Sequence, residues 1–179
     1  MIFTHALATR PEPQQAELVR ALIAHGLEVV SLPAFRFEAD QGPPGLAAQA
    51  RGALLVFTSP RAVHFGLVAL GGALPPGAHA AAIGPATRVE LGKRGIDALQ
   101  APGSRHDSEA LLAALDGKVP PGRAFIFTAP GGREALEHGL RGQGWQVSLA
   151  HVYRRVLLPP DPGEANRLAD ASGVLSLWT

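Results

Sequence analysis

Cysteine is absent from all 179 residues, which excludes disulfides, thiolate catalysis and cysteine–zinc sites. An excess of either charge is missing too. The 16 basic and 15 acidic residues leave a net charge of +1, which points to neither nucleic acid nor a membrane surface as partner. No run free of proline, glycine and charge reaches the length of a membrane span. The seven histidines show no H-E-x-x-H or similar ligand spacing, so no metal site is expected. A G-x-S-x-G elbow does not occur, which argues against a hydrolase of that type. Gly71 and Gly72 follow a helical stretch rather than join a strand to a helix, so there is no dinucleotide fingerprint. Ala6-Leu7-Ala8 mimics a signal-peptidase site, but no basic segment precedes it and the apolar stretch is short. The cytoplasm is the expected compartment. Tyrosine occurs once, at position 153.

What remains is a chain that is 46% hydrophobic and 17% charged, the balance of a globular protein with one domain or two small ones. Its organising stretch is Leu55-Val56-Phe57-Thr58-Ser59-Pro60-Arg61-Ala62-Val63. The apolar run at 55–57 is what a strand covered on both faces of a parallel sheet requires. Ser59 is a good N-cap, and Pro60 suits the first helical position, where a missing N–H costs nothing. Thr58 is expected to share the capping. Val63, Leu67 and Leu70 then recur at helical spacing. Phe125 to Arg133 reads as a near copy, Ala81 to Thr87 and Leu7 to Pro11 as looser ones, and Val174 to Thr179 as a fifth without its helix. Repeated strand–hydroxyl–proline–helix junctions set several helix N-termini on one rim, a ready site for anions.

Taken in order, residues 2–8 predict a strand, Thr9-Arg10-Pro11 opens a helix with Leu18, Val19, Leu22 and Ile23 inside, and 27–32 is a second strand. Phe35 and Phe37 alternate with Arg36 and Glu38, the pattern of a half-exposed extended segment. Strands follow near 53–57, 80–83, 96–100, 124–128 and 146–150, with helices beginning near Pro60, Pro85, Asp107 and Gly132. Five strands with intervening helices make a doubly wound parallel domain. Residues 152–158 alternate again, and a short helix over 164–169 and a strand over 174–178 close the chain. The expected organisation is a first domain of 1–32 with 160–179, paired linker strands at 33–40 and 151–159, and a second domain of 41–150 inserted between them. Three strands and two helices are too few to cover a parallel sheet, so the first domain is expected to be incomplete in this chain.

The order of motifs resembles the uroporphyrinogen-III synthase family: "TRP" after the first strand, "FTSPRAV" in mid-chain, then "IGPATRVEL", "HDSEALLAAL", "REALEHGLRGQGWQV" and "VYRRV". The resemblance spans the whole chain and rests on the ordered set rather than on any one motif. It implies two similar α/β domains of flavodoxin-like type, a two-stranded linker and a cleft between the domains. It also implies closure of linear hydroxymethylbilane to uroporphyrinogen III, with inversion of the last pyrrole ring and loss of water. That reaction needs no metal or organic cofactor. The expected partner is this small molecule, with no nucleic acid and no membrane, and the expected state is a monomer.

The resemblance places a cleft-facing tyrosine at Tyr153, where it would donate a hydrogen bond to the departing hydroxyl; the ordinary alternative is a linker tyrosine packed on a domain edge. Thr9, Arg10, Thr58, Ser59, Arg61, Gly84, Thr87, Thr128, Gly131 and Gly132 are the candidate substrate-binding residues, at the strand–helix junctions. Thr87 could equally bond backbone in a first helical turn, and Arg10 and Arg61 could be solvated first-turn arginines. Gly131 and Gly132 either let substrate approach the backbone or ease the turn. Two other readings remain. One is a non-catalytic α/β module binding an acidic small molecule at the same rim. The other, a flavodoxin-like cofactor domain, is disfavoured because the first strand leads into no Ser/Thr/Gly-rich phosphate loop.

Overall fold

The computed structural model describes residues 3–12, 15–101, 108–131, 134–171 and 173–176. In chain order its elements are β1 (His5–Ala8), α1 (Ala16–Ala24), β2 (Glu28–Ser31), β3 (Phe35–Ala39), α2 (Leu46–Gln49), β4 (Leu54–Phe57), α3 (Pro60–Ala69), β5 (His79–Ala82) and α4 (Pro85–Gly92). There follow β6 (Ala98–Gln100), α5 (Ser108–Leu115), β7 (Arg123–Thr128), α6 (Glu134–Gly142), β8 (Gln146–His151), β9 (Tyr153–Leu157), α7 (Pro162–Ala169) and β10 (Val174–Ser176). The chain divides into two compact units, Met1–Glu38 with Arg155–Thr179, and Ala39–Arg154. Strands β3 and β9 form a two-stranded sheet, and the division falls within both.

The larger unit is built on a five-stranded sheet in the order β6-β5-β4-β7-β8, every pair parallel. Its strands are apolar throughout because both faces are covered. Leu54, Val56, Ala124 and Ile126 point into a core with Leu111 and Leu115 of α5 and Leu136 and Leu140 of α6. On the alternate positions Phe57 and Phe127, paired in register, stack at 4.7 Å and 17°. Gly66 of α3 lies directly over these two rings. Counted from β4, the strand order is 3-2-1-4-5. That is the order within a dinucleotide-type sheet, whereas flavodoxin has 2-1-3-4-5, so the expected flavodoxin-like type is not borne out in this unit. The sequence could not give this order, because β4 and β7 meet across two intervening βα units. The one-turn helix α2 was also not anticipated. It is too short to show apolar periodicity, though Leu46 is buried.

In the smaller unit β10, β1 and β2 form a parallel three-stranded sheet with Ala6, Ala8 and Val30 buried. Two expectations fail here. Helix α1 begins at Ala16, so Thr9-Arg10-Pro11 leaves the strand without opening a helix. Of its expected inner face only Leu22 is buried, and Ile23 is exposed. Helix α7 begins at Pro162, two residues before the expected start, because Asp161 caps it by accepting from the Glu164 N–H at 3.0 Å. Glu164 in turn accepts from the Ser31 N–H at 3.1 Å, and Arg167 reaches Glu28 at 2.5 Å, which ties α7 to β2. Hydrogen bonding and charge from Arg167 hold the exposed Glu28 carboxyl below its usual range.

Candidate functional site

Because all five strands of the larger sheet run parallel, the segments that follow β4, β5, β7 and β8 emerge at one edge. The order reverses between β4 and β7, the position where open α/β sheets hold ligands. Thr58 sits at this reversal. Its Oγ1 donates to the Phe127 carbonyl at 3.0 Å, and its N–H reaches the same oxygen at 3.3 Å. Thr58 therefore latches the exit of β4 to the exit of β7 and does not cap α3, contrary to the sequence expectation. The carbonyl that takes its proton belongs to a strand far along the chain, and the cap position itself is held by Ser59.

Ser59 alone makes the cap. Its backbone is extended (φ −162°, ψ 163°) and its Oγ accepts from the Ala62 N–H at 3.0 Å, with Pro60 at the first helical position. Arg61 follows in the first turn and is half-buried. One strand further on, Gly84 holds the cap position of α4 with an extended backbone (φ −127°, ψ 164°) and no side chain to fill it. A Cβ there would meet nothing within 4 Å, so the backbone faces open space. Thr87, on the first turn of α4, is buried, and its N–H donates to the Gly84 carbonyl at 3.1 Å.

The segment after β7 departs from the expected copy. Pro130 lies in a turn and α6 is described from Glu134, so Pro130 is not a first helical residue. Thr128 ends the strand, is buried, and accepts from the Val152 N–H at 3.2 Å. Gly131 has φ +79°, a conformation that glycine adopts without strain. Gly132 and Asp107 lie outside the described residues. Thr9 and Arg10 belong to the smaller unit, where Arg10 is exposed and Thr9 half-buried.

Tyr153 follows a residue pinned on both sides. Val152 is fully buried, its N–H goes to Thr128, and its carbonyl accepts from the Asp40 N–H at 2.8 Å. The Tyr153 ring is buried and stacks on Phe65 of α3 at 5.4 Å and 21°. Its hydroxyl lies 3.4 Å from Ser59 Oγ, and either oxygen can be the donor. Phe65 went unremarked in the sequence, because Val63, Leu67 and Leu70 marked the inner face of α3 and an aromatic beside them carries no signal of its own.

The larger unit thus gathers Thr58, Ser59, Gly84, Thr87, Thr128, Gly131 and Tyr153 at its carboxyl edge. Such an edge offers first-turn N–H groups to carboxylates and a phenol as proton donor. A shallow depression of about 450 Å³ lined by His79, Arg88, Asp97 and Lys118 contains none of these residues.

The family model described as uroporphyrinogen-III synthase HemD matches residues 16–177. Uroporphyrinogen-III synthase of Salmonella typhimurium is 33% identical over 180 residues, covering 96% of this chain and 73% of the relative. Among solved structures, a mutant uroporphyrinogen III synthase from Thermus thermophilus superposes with a TM-score of 0.59 at 22% identity, covering 93% of this chain and 67% of that one. The Helicobacter pylori uroporphyrinogen-III synthetase gives a TM-score of 0.57 at 19% identity, covering 93% and 68%. At these identities the two structures speak for the fold. The family match over most of the chain and the one-third identity speak for descent, and on them this chain belongs to the uroporphyrinogen-III synthase family, lyases of haem biosynthesis.

Proposed function

We propose that this chain closes hydroxymethylbilane to uroporphyrinogen III, inverting the last pyrrole ring and releasing one water. The observation that carries the reading is the convergence, on one parallel-sheet edge, of two helix N-termini, hydroxyl side chains and the chain's sole tyrosine. The substrate bears eight carboxylates, which the positive N-terminal ends of α3 and α4 are suited to bind. Thr9, Arg10, Thr58, Arg61, Gly84, Thr87, Thr128, Gly131 and Gly132 are the residues we assign to binding, while the Ser59 hydroxyl is taken up by the α3 cap and the tyrosine. A hydroxymethylpyrrole loses its hydroxyl readily, so the chemistry asks chiefly for the bent chain to be held with the substituted carbon of the last ring in reach. Tyr153 donates to the departing oxygen as the carbon–oxygen bond breaks and water leaves. Two similar α/β domains, a cytoplasmic location, a monomeric state and independence of metal or organic cofactor belong to the same reading.

The test is incubation of the chain with hydroxymethylbilane. The synthase yields the type III isomer, whereas type I alone, the spontaneous product, would leave a module that only binds an acidic small molecule. In the active protein, Tyr153→Phe is expected to lower turnover roughly ten- to a hundredfold with KM nearly unchanged, since only a transition-state contact is removed.

A further inference from the structure

The mechanism so far uses Tyr153 and leaves open what decides where its proton points. The side chain is gripped by one helix at two places: Phe65 of α3 stacks on its ring at 5.4 Å, and Ser59, the cap of the same helix, lies 3.4 Å from its oxygen. Ser59 Oγ already accepts the Ala62 N–H at 3.0 Å. A serine hydroxyl carries one proton and two acceptor sites, so one proton and one acceptor site are left. An oxygen that accepts from a helix N-terminal N–H is polarised into a better donor and a poorer acceptor. The Ser59 proton is therefore the one to cross to Tyr153.

We propose that Ser59 is the positioning residue of Tyr153. Its hydroxyl donates to the phenol oxygen, so the phenol's own proton is not drawn into the helix cap. The chain of donors runs from the Ala62 N–H through Ser59 Oγ to Tyr153 Oη, and each step strengthens the next. Phe65 fixes the ring plane so that the hydroxyl meets Ser59 in one orientation. This assignment rests on the synthase reading and adds to it a residue that acts through the tyrosine rather than on substrate.

The test combines variants that separate capping from donation. Ser59→Thr keeps both, Ser59→Ala loses both, and Ser59→Asp keeps the cap but can only accept. With hydroxymethylbilane as substrate, Ser59→Thr should retain turnover. Ser59→Ala and Ser59→Asp should each lower kcat about three- to tenfold, the size of one neutral hydrogen bond. In a Tyr153→Phe background Ser59→Ala should cost nothing more, because its effect passes through the phenol. A readout independent of activity is available because the chain has a single tyrosine. Its Raman Fermi doublet reports whether the phenol donates or accepts, and should change in Ser59→Ala and Ser59→Asp but not in Ser59→Thr. An equal kcat loss from Ser59→Ala in both backgrounds, or an unchanged doublet in the alanine and aspartate variants, overturns the proposal. If the wild-type chain makes no type III product the synthase reading falls by itself, and the Raman comparison still decides whether Ser59 donates to Tyr153.

Discussion

At the scale of single residues, a hydroxyl is worth what its one proton is used for. Thr58 and Ser59 are adjacent and chemically alike, yet Thr58 gives its proton to the Phe127 carbonyl while Ser59 accepts from Ala62 and faces Tyr153. The cap was legible from Ser59-Pro60, because capping is a local contract between neighbours in sequence. The latch was not, because its acceptor sits on β7. Gly84 separates the two kinds of information in another way. Its φ of −127° suits any residue and a Cβ would meet nothing, so neither strain nor crowding requires glycine there. Gly84→Ser is expected to stabilise the protein by a few tenths of a kcal/mol through a new cap on α4. If substrate carboxylates approach this bare backbone, the same change raises KM several-fold with the fold intact. A melting curve beside a KM measurement checks both halves, and an unchanged KM would remove Gly84 from the binding edge.

Elements come next in scale, and here the sequence was more informative. Strands and helices of the larger unit fall within a residue or two of their expected positions because a continuous apolar run and a 3.6-residue period are both local signals. What the signals did not carry is how closely α3 lies on the sheet. Gly66 sits in the middle of that helix, where glycine is ordinarily about 1 kcal/mol worse than alanine. A Cβ at Gly66, however, would stand 2.6 Å from Phe127 Cδ1 and 3.0 Å from Phe57 Cε1. Both rings are fully buried and stacked on each other, so neither can swing away. Overpacking of this kind costs ~1–3 kcal/mol against a helical gain of about 1 kcal/mol, so Gly66→Ala should destabilise by up to about 2 kcal/mol net. Gly139 of α6 makes the contrast. The three atoms nearest a Cβ there, the closest at 2.1 Å, all belong to the side chain of Leu112, which is half-buried and whose far end can turn aside. Urea titration of both variants checks the contrast, with Gly139→Ala expected to be close to neutral. A stabilised Gly66→Ala would mean that α3 rides higher on the sheet than described.

For the molecule as a whole, the question is where a self-sufficient folding unit ends. Alternating patterns in the sequence place the inserted domain at 41–150, since Ala150 closes the last apolar strand and proline and glycine break the chain near 41–44. The structure draws the compact unit as Ala39–Arg154. The few residues between these limits are not decoration. Val152 is fully buried, and its two backbone groups bond Thr128 and Asp40, while Tyr153 lies buried against Phe65. Periodicity could not reveal this, because Val152 sits at a corner between β8 and β9 where the alternation resets. A fragment ending at Ala150 forfeits burial of one valine, worth about 1.5–3 kcal/mol, and two hydrogen bonds worth about 1 kcal/mol each. Both fragments keep the sheet with its two covered faces, so each should unfold in a single cooperative transition. With a urea slope of about 1–3 kcal/mol per M, the 39–154 fragment should unfold at a midpoint higher than the 41–150 fragment by about 1–5 M. Coincident midpoints would show that the corner at Val152 only borders the unit. A gap of the expected size would mean that the last turn of the core is made by the same short segment that positions Tyr153.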